Sequence, residues 1–144
     1  LGTKPADTED RVFRLRALSL LDAEPAAVQE AAEELLAGQR EDGGWSQTGE
    51  LKSDAYATAT ALDALHEYGH LTAADARYQR GLRFLLQQQL DDGSWHVESR
   101  SKPFQTYFES GFPHGKDQFI SMAGSSWAVL AMLHALPEKE SESK

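Results

Sequence analysis

The 144-residue chain is 40% hydrophobic and 26% charged, the balance of a soluble globular protein with one modest core. Its net charge of −9 at pH 7 opposes nucleic acid or an anionic membrane surface as partner. The lack of cysteine excludes disulfides and thiolate metal ligands, and no apolar run approaches the ~20 residues of a membrane span.

In chain order, the spacing predicts a first helix over 8–22, with acidic residues in its opening turn and Val12, Leu15 and Leu18 on one face. Pro25 suits the first position of a second helix, 25–39, which turns Val28, Ala31, Ala32 and Leu35 inward and stops at Asp42-Gly43-Gly44. Ser53 or Asp54 caps a third helix, 54–68, closed by Gly69; its small apolar residues lie nearly all round, which predicts burial on several sides. Thr72–Asp75 supplies the N-terminal cap of a fourth helix, 73–89, carrying Tyr78, Leu82 and Leu85, and Asp92-Gly93 ends it. A long irregular segment, 97–118, contains Pro103, Gly111, Pro113 and Gly115. The last helix spans 119–136 before Pro137, and 137–144 is a polar tail. Residue 1 is Leu rather than Met, so the sequence assigns no compartment.

Two of these stretches are near copies. Ala31–Trp45 (AAEELLAGQREDGGW) and Gly81–Trp95 (GLRFLLQQQLDDGSW) lie fifty residues apart and share a Gln, a Gly and a Trp at fixed spacing. Tyr56-Ala57-Thr58 likewise lines up with Trp127-Ala128-Val129, at an offset of 71 residues that leaves a longer loop in the second copy. Such a period marks stacked helical hairpins, none of which buries its apolar face alone. The expectation is one all-α domain, 1–136, with hairpin units at about 25–68 and 72–136. Gln39, Gly43, Trp45 and their counterparts Gln89, Gly93 and Trp95 are read as structural clamps. In each, the Gln amide satisfies helix-end backbone groups and the Trp covers that bond.

Arg80-Gly81, Phe84-Leu85, Gln89, Gly93 and Trp95 together resemble the QW motif of squalene–hopene and related triterpene cyclases, within the wider prenyltransferase and squalene-oxidase repeat. The first copy keeps Ala31, Leu35, Gln39, Gly43 and Trp45 but has Glu30 and Glu34 where the motif prefers a basic and an aromatic residue. The resemblance implies a partial α/α toroid of inner and outer helices. If active, the chain would be a cyclase-like isomerase or lyase. Cyclases of the hopene type carry an Asp-x-Asp-Asp stretch whose third position protonates an alkene. The matching residues here are Leu51-Lys52-Ser53-Asp54, so a serine stands at the proton donor's place and Asp54 is better placed as a helix cap. The zinc site of the protein prenyltransferases needs a cysteine this chain lacks.

No cofactor and no metal are expected: His66 and His70 straddle Gly69 at a helix end, while His96, His114 and His134 stand singly. The catalytic candidates are Asp54, Glu109, His114 and Asp117, the last two offering an acid–base pair. Tyr56, Tyr107, Phe108, Phe112 and Trp127 are the candidates for lining a pocket that holds an apolar, isoprenoid-like ligand. The alternative for the long loop is a cap, its aromatics buried over the N-terminal ends of the third and fifth helices. Three functions follow: a cyclase-like domain without its acid, a subdomain of an active cyclase completed elsewhere, or an interaction module. In the last, an open helical face meets a second copy or the rest of a longer protein.

Overall fold

A computed structural model describes residues 4–102 and 106–137. Pro103 and Phe104 of the long loop, and the tail beyond Pro137, lie outside the described residues. The described residues form five α-helices: α1 (Thr8–Leu20), α2 (Pro25–Leu36), α3 (Ala55–Glu67), α4 (Ala76–Gln88) and α5 (Gln118–Leu133). A 3-10 turn, Gly115–Asp117, leads into α5. Among these residues there is no strand, only a bridge between Trp45 and Asp54, and no helix is long and apolar enough to cross a membrane. The fold is all-α.

Local chemistry sets the helix limits. Asp7, Asp54 and Asp75 cap α1, α3 and α4, accepting from the N–H groups of Asp10, Ala57 and Arg77 respectively. The fourth helix therefore starts after Asp75 rather than at residue 73. Pro25 occupies the first turn of α2. That helix ends at Leu36, short of Gln39, because the chain turns away through Gly38, where a Cβ would stand 3.2 Å from the Trp45 ring. The left-handed residue after α3 is His70 (φ 57°), not Gly69. Gly69 is demanded by packing instead, since a Cβ there would lie 2.9 Å from the Leu65 carbonyl oxygen and 3.1 Å from Ala32.

Helix α3 is the spine of the molecule, buried from Ala57 through Leu65 with α1, α2, α4 and α5 packed around it. Gly81 lets α4 approach it, for a Cβ would meet Leu62 at 2.8 Å. Helices α3 and α5 run parallel: Gly124 lies against Tyr56 near their starts, and His134 meets Asp63 near their ends. Both therefore begin at the same end of the molecule, as the repeat of the preceding turn requires.

The two Gln–Gly–Trp turns match bond for bond. Trp45 and Trp95 are buried, and their indole N–H groups donate to the Leu35 and Leu85 carbonyls at 2.8 and 2.7 Å. Gln39 and Gln89 donate to the Gly43 and Gly93 carbonyls at 2.9 and 3.0 Å. The roles differ from the expectation, since the tryptophan satisfies the helix-end carbonyl while the glutamine holds the turn. The main-chain N–H of Trp45 donates to Thr58 Oγ1, and that of Trp95 to Ser125 Oγ. Ser125 thus plays the part of Thr58, one helical turn before the Val129 that sequence alignment pairs with it. Helix α5 begins correspondingly early.

The turns differ in how closely their glycines are packed. Gly43 (φ 88°) abuts α4, where a Cβ would stand 2.6 Å from the Arg80 carbonyl oxygen, whereas a Cβ on Gly93 (φ 83°) would meet nothing within 4 Å. Both Gly→Ala substitutions incur left-handed strain of about 1–2 kcal/mol. Gly43→Ala should exceed Gly93→Ala by at least about 1 kcal/mol because it also overpacks the helix contact. Urea unfolding of the two variants checks this, and equal losses would contradict the packing described.

Candidate functional site

Of the sequence candidates, Asp54, Tyr56 and Asp117 lie at the N-terminal ends of α3 and α5. Asp54 caps α3 with one carboxylate oxygen, 2.9 Å from the Ala57 N–H, and accepts from Gln47 Nε2 with the other, also at 2.9 Å. Burial pushes its carboxyl above the ordinary aspartate value, although these two donors oppose the shift. Ser53 donates its hydroxyl to Asp42 at 3.1 Å. Tyr56 donates to Glu9 at 3.0 Å, and burial together with the Glu9 charge pushes the phenol up to about 12. Arg100 bridges Asp7 and Glu9 at 2.8 and 3.1 Å, tying the long loop to the start of α1.

Residues 94–99 pass between the two helix ends. Val97 is buried against Gly124, and its N–H donates to Ser121 Oγ at 3.0 Å. Asp117, also buried, accepts from His96 Nε2 at 2.9 Å and from the Ser99 N–H at 3.0 Å. Burial works to raise its carboxyl, but these hydrogen bonds prevail and hold it below the usual range.

The expected His114–Asp117 pair is not formed. His114, at φ 85°, instead meets Ser94 Oγ at 2.9 Å. The Ser94 hydroxyl donates to Asp92 at 2.6 Å, so the imidazole donates to the serine and is not oriented as a base toward it. Glu109 is exposed and held low by the Tyr107 hydroxyl, which donates to it at 2.5 Å.

Among the described residues, the loop's aromatics neither cap the stack nor gather into a pocket. Tyr107 and Phe108 are 57% and 67% exposed, and Phe112 is half-buried, with its edge toward His114. Main-chain bonding accounts for this course: Gln118 accepts from the Ser110 N–H and donates to the Phe108 carbonyl, fixing the loop by its backbone and leaving those two side chains in solvent. A cleft of about 490 Å³ does open beside Tyr56, but Glu9, Gln47, Arg100 and Lys116 border it together with Phe119 and Ile120. Its wall is mixed and charged rather than apolar.

Trp127 lies away from this end, its ring 4.7 Å from the Arg16 guanidinium. Arg16 in turn donates to Asp63 at 2.8 Å, and Asp63 is 3.0 Å from His134 Nε2. This buried network escaped sequence reading because its members come from α1, α3 and α5, with no local spacing to mark them. Nor are the histidines solitary. His66 stacks on His134 at 4.4 Å, and the rings of His96 and His114 lie 5.0 Å apart.

No family model matches the chain. Lanosterol synthase erg7A of Aspergillus fumigatus is 32% identical to it over 116 residues, covering 80% of this chain and 14% of that protein. Lanosterol synthase ERG7 of Saccharomyces cerevisiae is 29% identical over 111 residues, 76% of this chain and 14% of its own length. The chain thus spans about one seventh of these curated relatives. Over most of its length the chain is thus similar in sequence to a part of these lanosterol synthases.

Proposed function

We propose that this chain is a triterpene-cyclase-like helical segment that supplies wall and scaffold rather than the catalytic acid. The observation that carries the reading is Asp54, whose two carboxylate oxygens are committed to the Ala57 N–H and to Gln47. Protonating an alkene demands an unusually strong acid, and burial shifts Asp54 toward a weaker one. Ser53, at the position matching the proton donor, is weaker still. The apolar side chains exposed on α5 (Phe119, Met122, Val129, Leu130 and Leu133) are the surface for an isoprenoid-like ligand or for further helices of a toroid. The purified chain incubated with squalene should give no cyclised product by mass analysis. Turnover that disappears in Asp54→Asn would overturn the reading and restore Asp54 as the acid.

A second reading, a subdomain completed by residues elsewhere in a longer cyclase, is favoured by the contrast between the two glutamines. Gln39 donates to the Arg77 carbonyl at 2.8 Å and accepts from Arg80 at 2.6 Å, locking the first turn to the start of α4. Gln89 is exposed and, among the described residues, holds only the carbonyl of its own turn. The second unit therefore presents the surface on which the first unit seats an outer helix. The lanosterol synthases are about seven times as long as the aligned segment, which accords with additional units there.

A further inference from the structure

The ends of α3 and α5 remote from the long loop bring together His66, Glu67 and His134, one ligand atom from each lying within 4.8 Å of the others. We propose that this cluster binds a divalent transition metal of the zinc type. The histidines come from the last turn of α3 and the C-cap of α5, and they meet because the two helices run parallel.

The second partners of the imidazoles distinguish this cluster from a chance gathering. His66 Nδ1 lies 3.0 Å from the Leu71 carbonyl oxygen, which only accepts, so that nitrogen carries the proton and Nε2 keeps the lone pair. His134 Nε2 lies 3.0 Å from Asp63 Oδ1, so its proton sits there and the lone pair falls on Nδ1. That Nδ1 is 3.5 Å from Glu67 Oε1. Asp63 is itself fixed by Arg16 at 2.8 Å, which keeps it as the orienting partner of His134. One imidazole backed by a carboxylate and another by a main-chain carbonyl is the arrangement that sets tautomer and ring direction in metal sites.

Two imidazole nitrogens and one carboxylate oxygen suit Zn²⁺ and its neighbours, with a fourth position left to water. The ligand atoms must close to about 3.3 Å for metal–nitrogen bonds of about 2.0–2.1 Å. The Glu67 side chain, 48% exposed, is free to make most of that movement. Two helix C-termini converge on the cluster, and their partial negative charge favours a cation. Tyr78 borders the cluster without joining it: its ring stands edge-on to His66 at 5.9 Å, and its hydroxyl donates to the Ala131 carbonyl.

The test is calorimetric titration of the whole chain with Zn²⁺ near neutral pH, supported by Co²⁺ absorption spectra. One metal per chain is expected, with a visible d–d spectrum and a rise in melting temperature. His66→Gln and Glu67→Gln, at partly exposed positions outside the core, should each weaken binding by at least about tenfold. His70→Gln, at the same helix end but outside the cluster, should leave it unchanged. Absence of saturable binding would overturn the proposal. So would binding that survives the His66→Gln, Glu67→Gln double variant.

Discussion

Trp45→Ala should lower the stability of the chain by about 3–5 kcal/mol, most of what a domain of this size possesses. The side chain is fully buried, and nothing around it is free to collapse. A Cβ at Gly38 would already stand 3.2 Å from the indole, and the Trp45 main chain is pinned to Thr58 and Asp54. The loss has two separable parts. Trp45→Phe keeps most of the apolar area but strips the Leu35 carbonyl of its indole donor, a change of about 1–3 kcal/mol. Urea unfolding of the two variants separates these contributions, and an unfolding midpoint for Trp45→Ala close to the parent's would contradict the clamp.

A comparable loss, about 3–5 kcal/mol, is expected for Asp63→Ala. Arg16 would be left without its carboxylate in an enclosure formed by Trp127, Tyr68 and Phe13, with its Nε already buried and unpartnered. The penalty comes from the stranded charge rather than from the worth of the pair, because two ions taken from water recover little by meeting. Replacing both, Arg16→Met with Asp63→Leu, should therefore restore much of the stability that Asp63→Ala removes. A double variant as unstable as the single one would mean that the ion pair itself contributes the energy.

These two sites also mark where the sequence was legible. The helices, the buried faces of α1, α2 and α4, and both tryptophan turns follow from local spacing and capping chemistry. Val12, Leu15, Leu18, Ala31, Leu35, Tyr78 and Leu85 are buried as their periodicity requires. Helix-end details were less legible: His70, not Gly69, takes the left-handed conformation, because tertiary contact with Ala32 had already claimed the glycine. The register of α5 against α3 was misplaced by one turn, since Trp127 resembles Tyr56 in chemistry while Ser125 matches Thr58 in hydrogen bonding.

The candidate site fared worse for a physical reason. Tyr107 and Phe108 are apolar enough to suggest a lining, but their backbone is held by Gln118 and they project into solvent. Asp117 is paired with His96 rather than with nearby His114, because the irregular loop carries His114 to Ser94 instead. The meeting of His66 with His134 depends on the parallel packing of helices far apart in sequence, which no local pattern encodes.

Two turns share the same bonding, each closed by a tryptophan whose indole N–H donates to a carbonyl near the end of the preceding helix. Hydrogen exchange of the three indole N–H groups, followed by NMR, tests that shared bonding most directly. The indole protons of Trp45 and Trp95, both bonded to helix-end carbonyls in the core, should exchange slowly and with closely similar protection near the global limit. Trp127, half-buried beside Arg16, should exchange much faster. Protection of Trp45 alone, or fast exchange of Trp45 and Trp95 alike, would contradict the paired turns on which the proposed function rests.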